Sequence, residues 1–437
     1  MKRTGDRPNV LVFFTDQQRW DTTGVHGNPL GLTPNFDAMA QTGNPFQPRL
    51  HAPARVRAAR SCFQTGQYAT TTGVWRNLIG IREDAVTLAT CFKTAGYDTG
   101  YIGKWHLGEW PQFNPVRHGF EYFYGFFSAD DSGWAVFENE QKVADVDKED
   151  RYCFEKFLPA GIEFIRKHKD EPFFLYYASH LPHAKWVPYK DFKGTSKQGA
   201  YGDCVQQLDY EVGGLLIELE SLGLTQNTLV IYASDNGCQV NVEGHGSNGP
   251  LRDGKWTNFE GGIRVPCLMR WPGKIPAGST NNDIVGIIDM LPTFCEITGV
   301  AVPTDRVIDG KSILPYMLGQ TVKQLVHETF IVEGSTIRYG DWKLFVKEEQ
   351  PGGGGQKGKA NTDRLTAKAG SLFHLKDDVG ETTDVSSQYP EKLKELHRMM
   401  DEYVAELQKH TRPNETVEGG PDDADSSGKK KSKKNKE

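Results

Sequence analysis

Hydrophobic positions along the chain fall into short, almost unbroken runs. Asn9–Phe14, Gly100–Ile102, Phe173–Tyr177 and Thr228–Ala233 are dense in β-branched and aromatic residues, as strands buried on both faces require. Between such runs the spacing becomes helical. Over Tyr201–Leu222, residues Val205, Leu208, Val212, Leu215, Leu216 and Leu219 recur every three or four positions and predict an amphipathic helix with a core face and no chemistry. Alternating strands and helices predict an α/β fold, a large mostly parallel sheet sandwiched by helices. After about Glu328 the pattern changes. Thr336–Tyr339 and Trp342–Val346 read as short strands, Pro351–Lys359 as a flexible Gly/Lys-rich loop, and Leu393, Leu396, Met400, Tyr403 and Leu407 as one stripe of a closing helix. The expected organisation is a large α/β domain over 1–327, a small C-terminal α+β subdomain (antiparallel sheet plus closing helix) over 328–412, and a disordered Lys-rich tail over 413–437.

A chain of 437 residues suits one large core and a second small one. No apolar run approaches the ~18–20 residues that span a bilayer. The start, MKRTGDRPNVLVFFTD, lacks a secretory apolar segment and cleavage site, so the expected compartment is the cytoplasm, or the periplasm or exterior if the natural start lies upstream. Seven cysteines without paired spacing predict buried thiols, with neither a disulfide framework nor a zinc site. Net charge is −6, and the last ten residues hold six Lys against one Glu, so the remainder carries about −11. Such a body excludes a nucleic-acid-binding surface.

The candidate chemistry lies just after the four strands, where open α/β sheets bind ligands. They run into Asp16–Gln17, into Lys104 and His106, into His180 and His183, and into Asp235–Asn236. Two carboxylates and two carboxamides form an oxygen-rich set suited to a hard divalent cation, calcium first and magnesium or manganese as alternatives. Each pair alone is more often a turn or helix cap; their joint placement is what points to a metal.

The strings PNVLVFFTDQQRWDTTGVHGN, LTPNFDAMA, GYIGKWHLG, YASDNG and NGPLRDGKWTNFEGGIRVP occur in the order found in type I sulfatases, and SLFHLKDDVGETTDV is similar to that family's closing segment. The chain thus resembles a type I sulfatase of the alkaline-phosphatase-like superfamily over about nine-tenths of its length. The resemblance implies hydrolysis of sulfate esters, a metal held by Asp16, Gln17, Asp235 and Asn236, and a formylglycine nucleophile matured from Cys or Ser by a dedicated enzyme. It implies further that Lys104 and His106 hold the sulfate and orient the nucleophile, and that His183 and Lys255 meet the ester oxygen. His180 is an alternative to His183, and His245 is a candidate for lining the substrate pocket. The implied substrate is a small-molecule or carbohydrate sulfate ester. Trp105, Trp110, Trp186 and Trp256 are candidates for stacking on a ring, with burial in the core as the competing role.

One departure is chemical. The family motif C/S-x-P-x-R precedes a Thr-Gly pair, here Thr65–Gly66; Arg60 supplies its arginine, but Val56 occupies the nucleophile position and Ala58 that of the proline. Valine has no heteroatom to oxidise or to attack with. Cys62 lacks the following Pro and Arg, and His51 is misplaced in spacing. The window Gln47–Ala59 (QPRLHAPARVRAA) is dominated by Arg, Ala and Pro, whereas the flanking chain keeps the family pattern without a change of length. It reads as a compensated frameshift in the recorded gene, the alternative being a pseudoenzyme. As printed, the chain is expected to turn over little or nothing. A phosphonate or phosphate ester hydrolase of the same fold, and a catalytically dead binder of sulfated glycans, are the competing functions.

Overall fold

The computed structural model describes residues 7–42, 47–75, 79–109, 111–127, 134–146, 153–240, 248–276, 280–350, 366–410 and 415–416. Its main element is an eight-stranded sheet in the order Cys267–Arg270, Thr228–Ser234, Asn9–Thr15, Phe173–Ala178, Asp98–Lys104, Tyr122–Phe126, Trp134–Glu138 and Gln141–Val146. The strands from Thr228–Ser234 to Tyr122–Phe126 run parallel, and the outer ones are antiparallel. All four strands read from the sequence are present, each extended by one residue or more.

Side-chain alternation builds a core on both faces. Val10, Val12 and Phe14 join one buried cluster with residues of the helices Val56–Thr65, Leu88–Thr94 and Met290–Thr298. Leu11 and Phe13 join the other, with the helices Pro34–Thr42, Cys153–Lys167 and Gly199–Ser221. Phe13 lies between the rings of Tyr177 and Tyr232, at 5.0 and 5.5 Å. Register then fixes where the strands end. Thr15 pairs with Ser234, and Phe14 and Gly103 both pair with Ala178, so residues 16, 104, 179 and 235 leave the sheet along one edge. Gly103 is needed there: at φ 101°, a Cβ would lie 2.0 Å from the Ala178 carbonyl oxygen.

The small sheet is antiparallel, in the order Thr329–Val332, Thr336–Tyr339, Trp342–Phe345, Leu372–His374. Helix Pro390–His410 covers it with Leu396 and Met400. Trp105 is fully buried against Tyr101 and Phe120, the commoner of the two roles weighed for the tryptophans. One expectation changes. Glu415–Thr416, placed in the tail by sequence, pairs antiparallel with Ile79–Gly80, a strand having satisfied its backbone groups. Pro351–Lys359 and the Lys-rich end lie outside the described residues. Cys62, Cys91, Cys204, Cys238, Cys267 and Cys295 are free and buried, as expected.

Two outcomes check this packing. Leu396→Ala should cost about 2–5 kcal/mol, read as a fall in thermal midpoint; an unchanged midpoint would show that the closing helix does not hold the small sheet. His118 is 1% exposed and stacks on Trp105 at 6.0 Å, and burial pushes its imidazole down to about 4. The unfolded chain therefore takes up the proton first, so this contribution is present above about pH 6.5 and is lost as pH falls toward 4. Relative to His118→Phe, the parent should lose up to about 1.4 kcal/mol per pH unit in that window; parallel stability curves would refute the buried neutral ring.

Candidate active site

Three cations and two carboxylates meet at the sheet edge. Asp16 follows the first strand and Asp235 a neighbouring parallel one; both are 0% exposed. Asp235 N–H donates to the Thr15 carbonyl at 3.2 Å, and its Oδ1 accepts the Gln17 N–H at 3.0 Å, so backbone hydrogen bonds join the two strand ends. Arg60 comes from the Val56–Thr65 helix. It donates Nε to Asp235 Oδ2 at 3.1 Å and Nη1 to the Lys104 carbonyl at 2.7 Å, with Nη2 2.9 Å from Asp235 Oδ2 and 3.8 Å from Asp16 Oδ2. Lys104 Nζ is ion-paired with Asp16 Oδ2. Tyr101 Oη also donates to the Lys104 carbonyl, at 2.5 Å, which pins the turn carrying that lysine.

The electrostatics follow from burial. Burial works against the Asp16 charge, but Lys104, His183, Arg60 and Lys255 outweigh it and hold the carboxyl well below its usual range. Burial, and then the negative charge of Asp16, push Asp235 up to about 7. Burial lowers Lys104, against the pull of Asp16, and brings Lys255 down to about 8. His106 is forced well below 6.5 by burial and then by Lys104, Arg57, Arg60 and Lys255, so it is a neutral imidazole.

The structure brings together Asp16, Gln17, Arg60, Lys104, His106, His183, Lys255, Asp235 and Asn236. Val56 is the first residue of its helix, 3% exposed, one turn before Arg60 and on the same side. His180 is 2% exposed and meets Phe126 edge-on at 6.1 Å. His245 and Trp110 lie outside the described residues. Cys62 is fully buried in the core. His51, also buried, faces Arg338 and Glu260 instead. Trp186 donates to the Pro182 carbonyl and packs edge-on against Tyr201. Sequence reasoning missed Tyr101, whose place two residues before Gly103 in the same strand was the available signal.

Asp16 Oδ1, Gln17 Oε1 and Asn236 Oδ1 are buried with no hydrogen-bond partner in the protein. Leaving buried oxygens unmatched costs ~1–3 kcal/mol each, and a hard divalent cation would match all of them. Among the described residues no group of three or more His, Cys, Asp or Glu is placed to hold a metal ion. No described helix is long and apolar enough to cross a membrane.

A large, mostly parallel sheet between helices with a small antiparallel sheet beside it is the alkaline-phosphatase-like fold. Residues 8–300 match the sulfatase family. N-acetylgalactosamine-6-sulfatase of Canis lupus familiaris is 32% identical over 90% of this chain and 84% of its own. The crystal structure of Ps i-CgsB in complex with k-i-k-neocarrahexaose superposes at TM-score 0.78 with 25% identity, covering 94% of this chain and 96% of that one. The phosphonate monoester hydrolase of Agrobacterium radiobacter shares the fold, at TM-score 0.65, 18% identity and coverage of 94% and 97%. The chain belongs to the sulfatase family, whose members are sulfuric ester hydrolases that use a metal and a formylglycine.

Calcium should raise the thermal midpoint by mass action and a chelator should return it. Asp16→Asn should abolish the response; a midpoint indifferent to the cation in the parent would contradict the metal assignment.

Proposed function

We propose that the natural protein hydrolyses a carbohydrate sulfate ester and that position 56 of its gene encodes Cys or Ser. The observation that carries the first part is the charge balance of the site. Arg60, Lys104 and Lys255 face Asp16 and Asp235, and a divalent cation on the unpartnered oxygens would leave a strongly positive, buried pocket matched to a sulfate monoester. The named activity of the N-acetylgalactosamine sulfatases and the sugar bound to Ps i-CgsB support a carbohydrate substrate.

Asp16, Gln17, Asp235 and Asn236 would hold the cation, calcium by preference because carboxamide oxygens and a flexible ligand number suit it. When bound, it would act as a Lewis acid on a sulfate oxygen. Lys104 and Lys255 would bind the remaining sulfate oxygens, stabilising charge that grows as the ester bond breaks. Neutral His106 would orient the nucleophile at position 56, and His183 would deliver a proton to the departing alkoxide.

Position 56 is where the printed chain fails this chemistry, and two observations favour a reading error. The first is structural. Arg57, second residue of its helix, is 1% exposed, and among the described residues its Nε is unpartnered and its other nitrogens meet the Ile79 carbonyl at 3.2 Å and the half-exposed Glu109 at 3.3 Å. A buried cation beside a helix N-terminus opposes the helix dipole. The second is the genetic code. Valine is GTN, alanine GCN and arginine CGN or AGR; where Arg57 uses CGN, reading from the second base of the Val56 codon gives TNC, GNG and CNG across Val56–Ala59. With G or C as the free base, TNC is Cys or Ser and CNG is Pro or Arg. The displaced frame can thus spell C/S-x-P, and Arg60 completes the motif in the printed frame. It also replaces Arg57 by Gly, Ala, Val or Glu.

Resequencing the gene decides position 56: a displaced codon for any residue but Cys or Ser removes the claim. Val56→Cys combined with Ala58→Pro, which restores C-x-P-x-R ahead of Arg60, co-expressed with a formylglycine-generating enzyme, should hydrolyse an aryl sulfate at least ~10³-fold faster than the printed chain, and faster than it hydrolyses an aryl phosphate. Preference for the phosphate would support the phosphonate hydrolase alternative. Valine at position 56 favours one other reading, a non-catalytic binder of sulfated glycans, which predicts sugar binding without turnover in both forms.

A further inference from the structure

Lys255 reaches the carboxylates from a loop held in an unfavourable shape. Asp253 (φ 55°) and Trp256 (φ 69°) are non-glycine residues in the left-handed region, a conformation that persists only where the surroundings over-determine it. The apex is tied inward. Lys255 N–H donates to the Cys238 carbonyl at 2.8 Å and Trp256 N–H to the Ala54 carbonyl at 2.9 Å, beside the metal pair and the nucleophile position respectively. The neck closes through Gly261 N–H to the Arg252 carbonyl at 2.8 Å.

The restraint on that neck comes from the far end of the chain. Glu381 grips both sides: its carboxylate accepts the Glu260 N–H at 2.7 Å, and its carbonyl accepts from Arg252 Nη1. Lys343, in the small sheet, places Nζ 2.7 Å from Glu381 Oε1 and 3.1 Å from Glu260 Oε1. All three side chains are 0% exposed. The Arg252 guanidinium lies 3.9 Å over the Phe259 ring, which packs on Phe345 at 5.0 Å. Two buried glutamates without Lys343 would repel each other across the neck. Arg264 and Arg338 lie 3.1 and 3.6 Å from Glu260 Oε2; Arg338 also acts on Glu381 through its charge, but Lys343 is the cation in ion-pair contact with both carboxylates.

We propose that Lys343 and Glu381 are positioning residues for Lys255: they clasp the two sides of the 252–260 loop and so aim its lysine at the anion site. Neither touches substrate. The kinetic part rests on the reading of Lys255 as a sulfate contact.

In the matured Val56→Cys/Ala58→Pro protein, Lys343→Met and Glu381→Gln should lower kcat/KM for an aryl sulfate ~10–100-fold, and Lys343→Arg should recover part of the loss. Either change should add little when Lys255 is already alanine; effects that multiply in the double variant would overturn the proposal. A second measurement needs no turnover. Amine acylation of the printed chain, mapped by peptide mass spectrometry, should show Lys255 (7% exposed) modified at least ~10-fold faster in Lys343→Met or Glu381→Gln, with Lys104 (0% exposed) still protected. Lys255 remaining protected, or both lysines opening together, would overturn the clasp. A matured parent without sulfatase activity but with selective Lys255 labelling in the variants would remove the functional reading and leave the clasp standing.

Discussion

Two carboxylates held side by side without solvent are the constraint on which the rest of the molecule turns. Asp16 and Asp235 cannot both carry charge in that setting unless cations surround them. The protein supplies Arg60, Lys104 and Lys255 from three separate stretches of chain. Each cation needs its own scaffold. Arg60 needs a helix packed on the face of the sheet, Lys104 a glycine that lets its strand pass close to the Ala178 carbonyl, and Lys255 a strained loop. The parallel strands make the meeting possible because their carboxyl ends share one edge.

Much of this was legible because it obeys local rules. Strands buried on both faces leave apolar runs, and the polar pairs after Phe14, Ile102, Tyr177 and Ala233 marked the site edge. The helix over Gly199–Ser221 and the stripe of Pro390–His410 were visible as periodicity. The antiparallel outer strands were not: Gln141–Val146 is exposed at five of its six residues and so carries no apolar signature. Trp105 stayed open between stacking and burial because a tryptophan inside a polar motif looks available, whereas its ring occupies the core beneath that motif. Lys343, Glu260 and Glu381 left no signal, since isolated charged residues far apart in sequence show their partnership only after folding.

The Val56–Thr65 helix shows how a local sequence anomaly reads in three dimensions. Every one of its residues is buried, so little along it is free to vary. An apolar side chain at its first position is sterically acceptable, which is why the fold tolerates Val56 while the chemistry does not. Arg57 is less comfortable, with a poorly satisfied guanidinium beside a helix start. Fold and family membership are therefore robust to the window Gln47–Ala59, whereas the proposed chemistry turns on a heteroatom at position 56.

The grip of Glu381 on Arg252 and Glu260 also sets an order of events. A ribosome finishes every residue that meets the anion, from Asp16 to Lys255, well before it reaches position 381. The large sheet can assemble around its charges while the arm bearing the second lysine still swings. On the clasp proposed above, competence would await the stretch that carries Glu381, and losing that stretch would disarm the centre while leaving Asp16, Lys104 and Lys255 in the chain.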